Sequence, residues 1–212
     1  MLTYGRAGES AIQPEGETMS APNDHEVVSI YPYTPEQLDR LMTDARECVL
    51  MWATKDNWPV GVYHSFVWRN GRIWITFAAH RHRANAIKRN PKVAVAVSGV
   101  AGVEPDCPMG SATAKGIGIF HDDDETKAWF YRALADKSHR GDKAKADRFV
   151  ETLNSPMRTI LEVIPTQWIT FDSGKSARHM AGQINDTELG PRLTSDAERL
   201  AKFRKERGLG DR

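Results

Sequence analysis

Between residues 60 and 77 the chain alternates. Val60, Val62, His64, Phe66 and Trp68 fall on one side of a pleat, with Gly61, Tyr63, Ser65 and Val67 on the other. Asn70-Gly71 interrupts, and Ile73, Ile75 and Phe77 then alternate with Trp74 and Thr76. An Asn-Gly pair between two period-two runs predicts a tight hairpin, because both turn positions take positive φ. The apolar run Cys48 to Thr54, closed by a turn at Lys55-Asp56-Asn57, predicts another strand just before it. Three consecutive antiparallel strands are expected. Both of their faces carry bulky apolar groups, which suits a closed barrel better than a sheet wetted on one side.

Other elements follow from local chemistry. Thr34-Pro35-Glu36-Gln37 predicts a helix start, with Thr34 as cap, Pro35 in the first turn and Gln37 closing a capping box. Leu38, Leu41, Met42 and Ala45 then share one face. A short helix over Arg83 to Arg89 should end at Asn90-Pro91, since the residue before proline avoids the helical region. Val93, Val95 and Val97 predict a fourth strand, residues 99–110 a loop, and Ser111 to Phe120 a fifth strand. Asp122 to Asp124 predict the cap of a helix carrying Trp129, Phe130, Ala133 and Leu134. The charged stretch Lys137 to Arg148 reads as loop and surface helix. Met157 to Ile164 and Gln167 to Phe171 read as two strands broken at Pro165. The polar tail contains one expected helix, with Ser195 and Glu198 as its capping box. Residues 1–26, rich in Gly, Ser, Glu and Pro, read as a flexible lead in which Met19 is a candidate natural start. The expected organisation is a lead over 1–26, a barrel domain over 27–180, and a polar helical tail over 181–212.

Composition narrows the function classes. The 212 residues carry 29 Lys+Arg against 28 Asp+Glu, a formal charge of +1. That balance lacks the basic excess of a dedicated nucleic-acid or membrane-surface protein. The 2 cysteines, Cys48 and Cys107, stand far apart with no CxxC, which argues against a zinc framework or a secreted disulfide scaffold. Glu9, Glu15 and Glu17 occupy the place where a signal peptide would need an apolar run. The expectation is a soluble cytoplasmic protein with no nucleic-acid or membrane partner.

Candidate chemistry is concentrated in one place. His80-Arg81-His82-Arg83-Ala84-Asn85-Ala86-Ile87-Lys88-Arg89-Asn90-Pro91 runs from a strand into a helix. Guanidinium forks beside the free N–H groups of a helix start form an anion site, although the same pattern also describes a solvated basic turn. His80-x-His82 lacks the further ligands a metal needs, and no metal is expected. His64 is a strand histidine, either a satisfied core residue or a site residue. The Gly116-Ile117-Gly118 pair lies inside a strand with no following helix, so it predicts a bulge or close backbone approach and no dinucleotide fingerprint. His121 to Glu125 reads as helix capping. Cys48 reads as packing. Trp168, Arg178 and His179 are placed to reach a ligand or to lie on the surface. GxSxG, HExxH and GxxxxGK[ST] do not occur, and no catalytic side chain is assigned.

The order of these features resembles the pyridoxamine 5'-phosphate oxidase-like split β-barrel superfamily of flavin- and deazaflavin-binding reductases. The resemblance runs from about Glu47 to Asp172. It rests on Val49 to Thr54, Trp58-Pro59, Val60 to Trp68, the Asn70-Gly71 hairpin with Ile73 to Phe77, and the basic loop leading to Asn90-Pro91-Lys92-Val93. The strand Thr113 to Phe120, the acidic turn His121 to Asp124, the helix from Lys127 to Asp136, and Ile164-Pro165 with Trp168 complete it. The fold implied is a mainly β split barrel with flanking helices. The activity implied is hydride transfer between bound FMN and a small organic substrate. Deazaflavin coenzyme F-420, or a non-catalytic flavin- or haem-binding role, is the alternative. In this family a phosphate-contacting lysine lies eight positions before the Asn-Pro proline, and Arg83 stands there. Ile75, Thr76 and Phe77 fall on the strand bordering the cofactor, and Tyr63, His64, Ser65 and Phe66 on the facing one. Arg81 and Lys88 would join Arg83 in holding a more anionic tail, and Trp168 falls on the closing strand. The family also implies a homodimer with cofactor sites at the subunit boundary. Pyridoxamine-phosphate oxidases themselves carry Arg and Lys where this chain has Val62 and Val67, and Gln and Arg where it has Ser111 and Thr113. Their Arg-x-His is echoed only by Arg178-His179. A divergent reductase is therefore expected rather than vitamin B6 oxidation.

Overall fold

The computed structural model describes residues 28–99 and 107–209. The lead over 1–26 lies outside them, as does most of the loop expected over 99–110.

Six strands close into an antiparallel barrel in the order β1-β2-β3-β6-β5-β4. They are β1 (Glu47–Ala53), β2 (Pro59–Arg69), β3 (Arg72–Ala78), β4 (Lys92–Ser98), β5 (Gly110–His121) and β6 (Arg158–Asp172). Among them are the helices α1 (Pro35–Asp44), before β1, α2 (His82–Arg89), between β3 and β4, and α3 (Asp124–Ser138) with α4 (Lys143–Leu153), between β5 and β6. After β6 come α5 (Ser173–Met180) and a single 3-10 turn at Asp186–Glu188.

The local signals work as chemistry predicts. Asn70 and Gly71 take φ of 54° and 69°, so the hairpin rests on the pair of positions that tolerate it. Thr34 accepts from the Gln37 N–H while the Gln37 side chain accepts from the Thr34 N–H, completing the capping box. Asp123 caps α3 by accepting from Thr126 N–H.

Three expectations need correction. β6 is one 15-residue strand rather than two. Pro165 is tolerated because it stands opposite Gly116, where the β5–β6 register shifts, so the proline falls at an irregularity where the regular ladder is already interrupted. A Cβ on Gly116 would come 2.6 Å from the Ile164 carbonyl oxygen, which is why glycine stands there. Lys137 lies in the last turn of α3 rather than in a loop. Finally, α6 (Thr194–Glu206) begins before Ser195, so that serine lies inside the helix and does not cap it.

The inward faces of the strands make the main core. Leu50, Phe66, Ile73, Ile75, Val95, Ala114, Leu161 and Val163 are buried there, with Leu41 and Met42 of α1 packed on the same cluster. A second cluster forms outside the barrel, where Val67 and Ile160 meet Phe130, Tyr131 and Leu134 of α3 and Leu153 of α4. The described barrel unit spans residues 28–193. Within it, Ile184 is buried and Gly190 N–H donates to the Ile30 carbonyl. α6 belongs to a separate compact unit. Its own turns are tied by Arg199–Asp196 and Lys202–Glu206 pairs at 3.6 and 3.9 Å. Among the described residues no helix is long and apolar enough to cross a membrane.

One irregularity positions the site. β2 and β3 pair only from Phe66↔Ile75 to Arg69↔Arg72. Beyond that point β2 continues along β1 to Pro59, and β3 continues along β6 to Ala78. The two strands part, and the barrel is split at this seam.

Candidate functional site

Arg83, in the first turn of α2, reaches into the seam. Its Nη1 donates to His64 Nε2 at 2.8 Å. Its guanidinium carbon lies 5.2 Å from the Phe77 ring centroid and 5.8 Å from that of Trp52. His64 and Phe77, with ring centroids 5.8 Å apart, lie two residues beyond the last β2–β3 pair, Phe66↔Ile75. The guanidinium thus lies against aromatic groups from three strands.

The protonation of this contact follows from its donors. Arginine has no acceptor, so His64 Nε2 must accept and the ring proton stands on Nδ1. Burial holds the His64 pKa down to about 4, assisted by the positive charges of Arg83 and Arg158. A neutral histidine adds no charge to the seam. Arg83 is half-buried, has no carboxylate partner among the described residues, and is held below its ordinary pKa by burial and by Arg81. A desolvated cation without a counter-charge is the physical definition of an anion site.

Arg158 extends it. Burial lowers its pKa too, and its Nε donates to Thr76 Oγ1 at 3.3 Å. The same hydroxyl donates to the Thr159 carbonyl at 2.9 Å. Arg158 is one residue that sequence reading missed. A single arginine at a strand start has no local signal, and its neighbours come from β3 and α3.

The structure brings together only part of the expected set. His64, Phe77 and Arg83 form the cluster described above. Lys88 joins through Phe120, its Nζ 5.3 Å from that ring, and Phe120 stands edge-on to Phe77 at 6.2 Å. Arg81 is exposed at the N-cap of α2, where no side chain caps the helix. Phe66 and Ile75 are fully buried, so only their backbones border the seam. Thr76 and Ser65 point to the opposite faces of their strands from Phe77 and His64. Thr76 is engaged with Arg158 and Thr159, while Ser65 is exposed. Trp168 packs edge-on against Trp68 at 6.1 Å, and Trp68 lies four residues along β2 from His64, about 13 Å away. Trp52 and Phe120 were not singled out from sequence as site residues, since each reads there as one apolar position among many.

Cys48 sits opposite His64 on β1, but burial pushes its thiol up to about 12, which leaves it a packing group. His121 donates or accepts with Glu162 at 2.9 Å on the outer surface, apart from the seam.

Several solved structures share this architecture. The conserved hypothetical protein Rv2991 from Mycobacterium tuberculosis superposes with a TM-score of 0.60 at 14% identity, covering 70% of this chain and 90% of that one. A putative 5-nitroimidazole antibiotic resistance protein from Bacteroides thetaiotaomicron gives 0.51 at 14% identity, over 69% and 93%. HutZ, a haem storage protein from Vibrio cholerae, gives 0.51 at 11% identity, over 65% and 94%. No family model matches the chain, and no curated protein does. The structural likenesses establish the fold as the pyridoxamine 5'-phosphate oxidase-like split barrel.

Proposed function

We propose that this protein is a flavin-dependent oxidoreductase that binds FMN at the seam between β2 and β3. The observation that carries this reading is Arg83, a half-buried guanidinium that, among the described residues, has a neutral histidine as its hydrogen-bond partner and no carboxylate partner. A phosphate monoester supplies the missing charge and matches the planar fork of donors. The uncapped N-terminus of α2 adds free N–H groups beside it. Phe77, Phe120 and Trp52 offer apolar walls to a flat ring. The residues present therefore fit the group.

Bound FMN supplies hydride transfer, and the chain supplies binding, orientation and shielding. Arg83 holds the anionic end. His64, kept neutral, fixes the Arg83 fork without neutralising its charge. The backbone edges of β2 and β3 that face the seam present N–H and C=O groups to the ring edge.

Deazaflavin coenzyme F-420 is a second reading, favoured by one observation. Arg81 and Lys88, both exposed on α2, place further positive charge beyond the seam for a longer anionic tail. Haem ligation is less well supported, since His64 Nε2 is already committed to Arg83. A visible spectrum of the purified protein separates these readings: a flavin spectrum supports FMN, colourless protein that binds added deazaflavin supports the second, and a sharp Soret band overturns both.

The protein is further proposed to pair as a homodimer. Trp58 and Tyr63, at 68% and 72% exposure, put aromatic surface on β2 and the turn before it, which a second copy would cover.

A further inference from the structure

We infer that the cavity beneath the C-terminal end of α3 is a second anion subsite, in which Lys137 receives the carboxylate of a flat, unsaturated organic acid. The cavity measures about 810 Å³. It is lined by β1, β2, β4 and β5, with the core residues Cys48, Phe66 and Val97 among them, and by α3 down to its last turn. Tyr63, Ser65 and Phe66 of β2 line it, so it shares that strand with the seam, and Arg83 and His64 are not among its lining residues.

Lys137 is the anomaly within it. Its ammonium nitrogen is buried and has no hydrogen-bond partner among the described residues. It stands 4.1 Å from the Phe66 ring centroid. That ring, and the negative end of α3, favour the charge but accept none of its three N–H bonds. Burial holds the ammonium pKa down to about 8, helped by Arg140 and opposed by Cys48 and Asp44. A buried donor group left unsatisfied costs stability, and a ligand carboxylate would satisfy it.

The rest of the lining sets the ligand class. Val49, Phe66 and Leu134 give apolar walls, while Ser111 and Thr113 give hydroxyls. The charged residues that line the cavity are Arg46, Glu47 and Lys137, a net of one positive charge. A monoanion on an apolar body matches it better than a polyanion. The site stands on its own geometry; only its assignment as the substrate end of the oxidoreductase rests on the function proposed above.

Benzoate and its neutral isostere benzamide probe the site directly, by calorimetry on the full chain. Wild type should bind benzoate about ten- to a hundredfold more tightly than benzamide, the range of a charge-assisted pair. Lys137→Met should erase that preference, Lys137→Arg should keep part of it, and Arg83→Ala should leave it intact. Lys137→Met should also raise the melting temperature, because it removes a buried unpaired charge at nearly constant volume. Without any variant, benzoate should shift the Lys137 ammonium resonance more than benzamide does. Equal affinity for the two probes in wild type overturns the subsite. So does a benzoate preference that survives Lys137→Met or disappears in Arg83→Ala. A Lys137→Met protein that loses its dimer, beside a wild type indifferent to benzoate, gives the lysine to a subunit contact instead. Failure of FMN to bind leaves the subsite standing and removes only its role as a substrate site.

Discussion

Arg83 donates to His64 across the gap where β2 and β3 separate, with 2.8 Å between Nη1 and Nε2. Protonating His64 would set two cations against each other at that distance. The pair is therefore compatible with only one charge state of the histidine, and this has a consequence for stability.

The folded His64 pKa, about 4, lies below the ordinary histidine value of 6.5. Below pH 6.5 the unfolded chain takes up a proton that the folded chain refuses, so folding is favoured above 6.5 and loses free energy as pH falls toward 4. Partial exposure reduces the size of the effect, leaving about 1–3 kcal/mol. Melting curves between pH 7 and 4 should show a steeper loss for wild type than for His64→Gln, which accepts from Arg83 and does not titrate. Parallel curves would mean that His64 is not held neutral by this contact.

Thr76 serves the fold before it serves a ligand. Its hydroxyl donates to Thr159 and accepts from Arg158. Thr76→Val should cost about 1–3 kcal/mol by stranding those groups, and Thr76→Ser should restore most of it. Urea denaturation measures both. A Thr76→Val protein as stable as wild type, yet weakened in FMN binding, would reassign the hydroxyl to the cofactor.

The aromatic surface on β2 predicts a second copy. Sedimentation at micromolar concentration should give about twice the 23.8 kDa chain mass, and Tyr63→Asp should shift the population toward monomer, since a charge would be desolvated in the contact. Monomer throughout the wild-type concentration series contradicts the pairing.

The features legible in sequence are the local ones. Asn70-Gly71, the Thr34–Gln37 box and the period-two runs each specify their geometry within a few residues. The split and its contents are not local. Arg83 is nineteen residues from His64, and only the parting of β2 from β3 makes them neighbours. Resemblance put Arg83 in the site, but nothing near it in sequence announces a histidine acceptor. Arg158 and Lys137 were lost for a related reason. A charged residue at a strand start or a helix end looks solvated until tertiary packing buries it. Pro165 misled in the opposite direction, because a proline reads as a break unless the bulge across from it, at Lys115/Gly116, is known.

The central claim is that Arg83 holds the anionic end of the cofactor. FMN titration of wild type, Arg83→Ala, Arg83→Lys and His121→Ala, followed by flavin fluorescence, tests it. The expected loss for Arg83→Ala is about ten- to a hundredfold in Kd, with melting temperature little changed. Arg83→Lys should recover part of the loss, because the charge remains while the fork is gone. His121→Ala, at the outer-surface pair with Glu162, should bind as wild type does. Equal affinities across all four proteins would contradict the site and leave only the split-barrel fold.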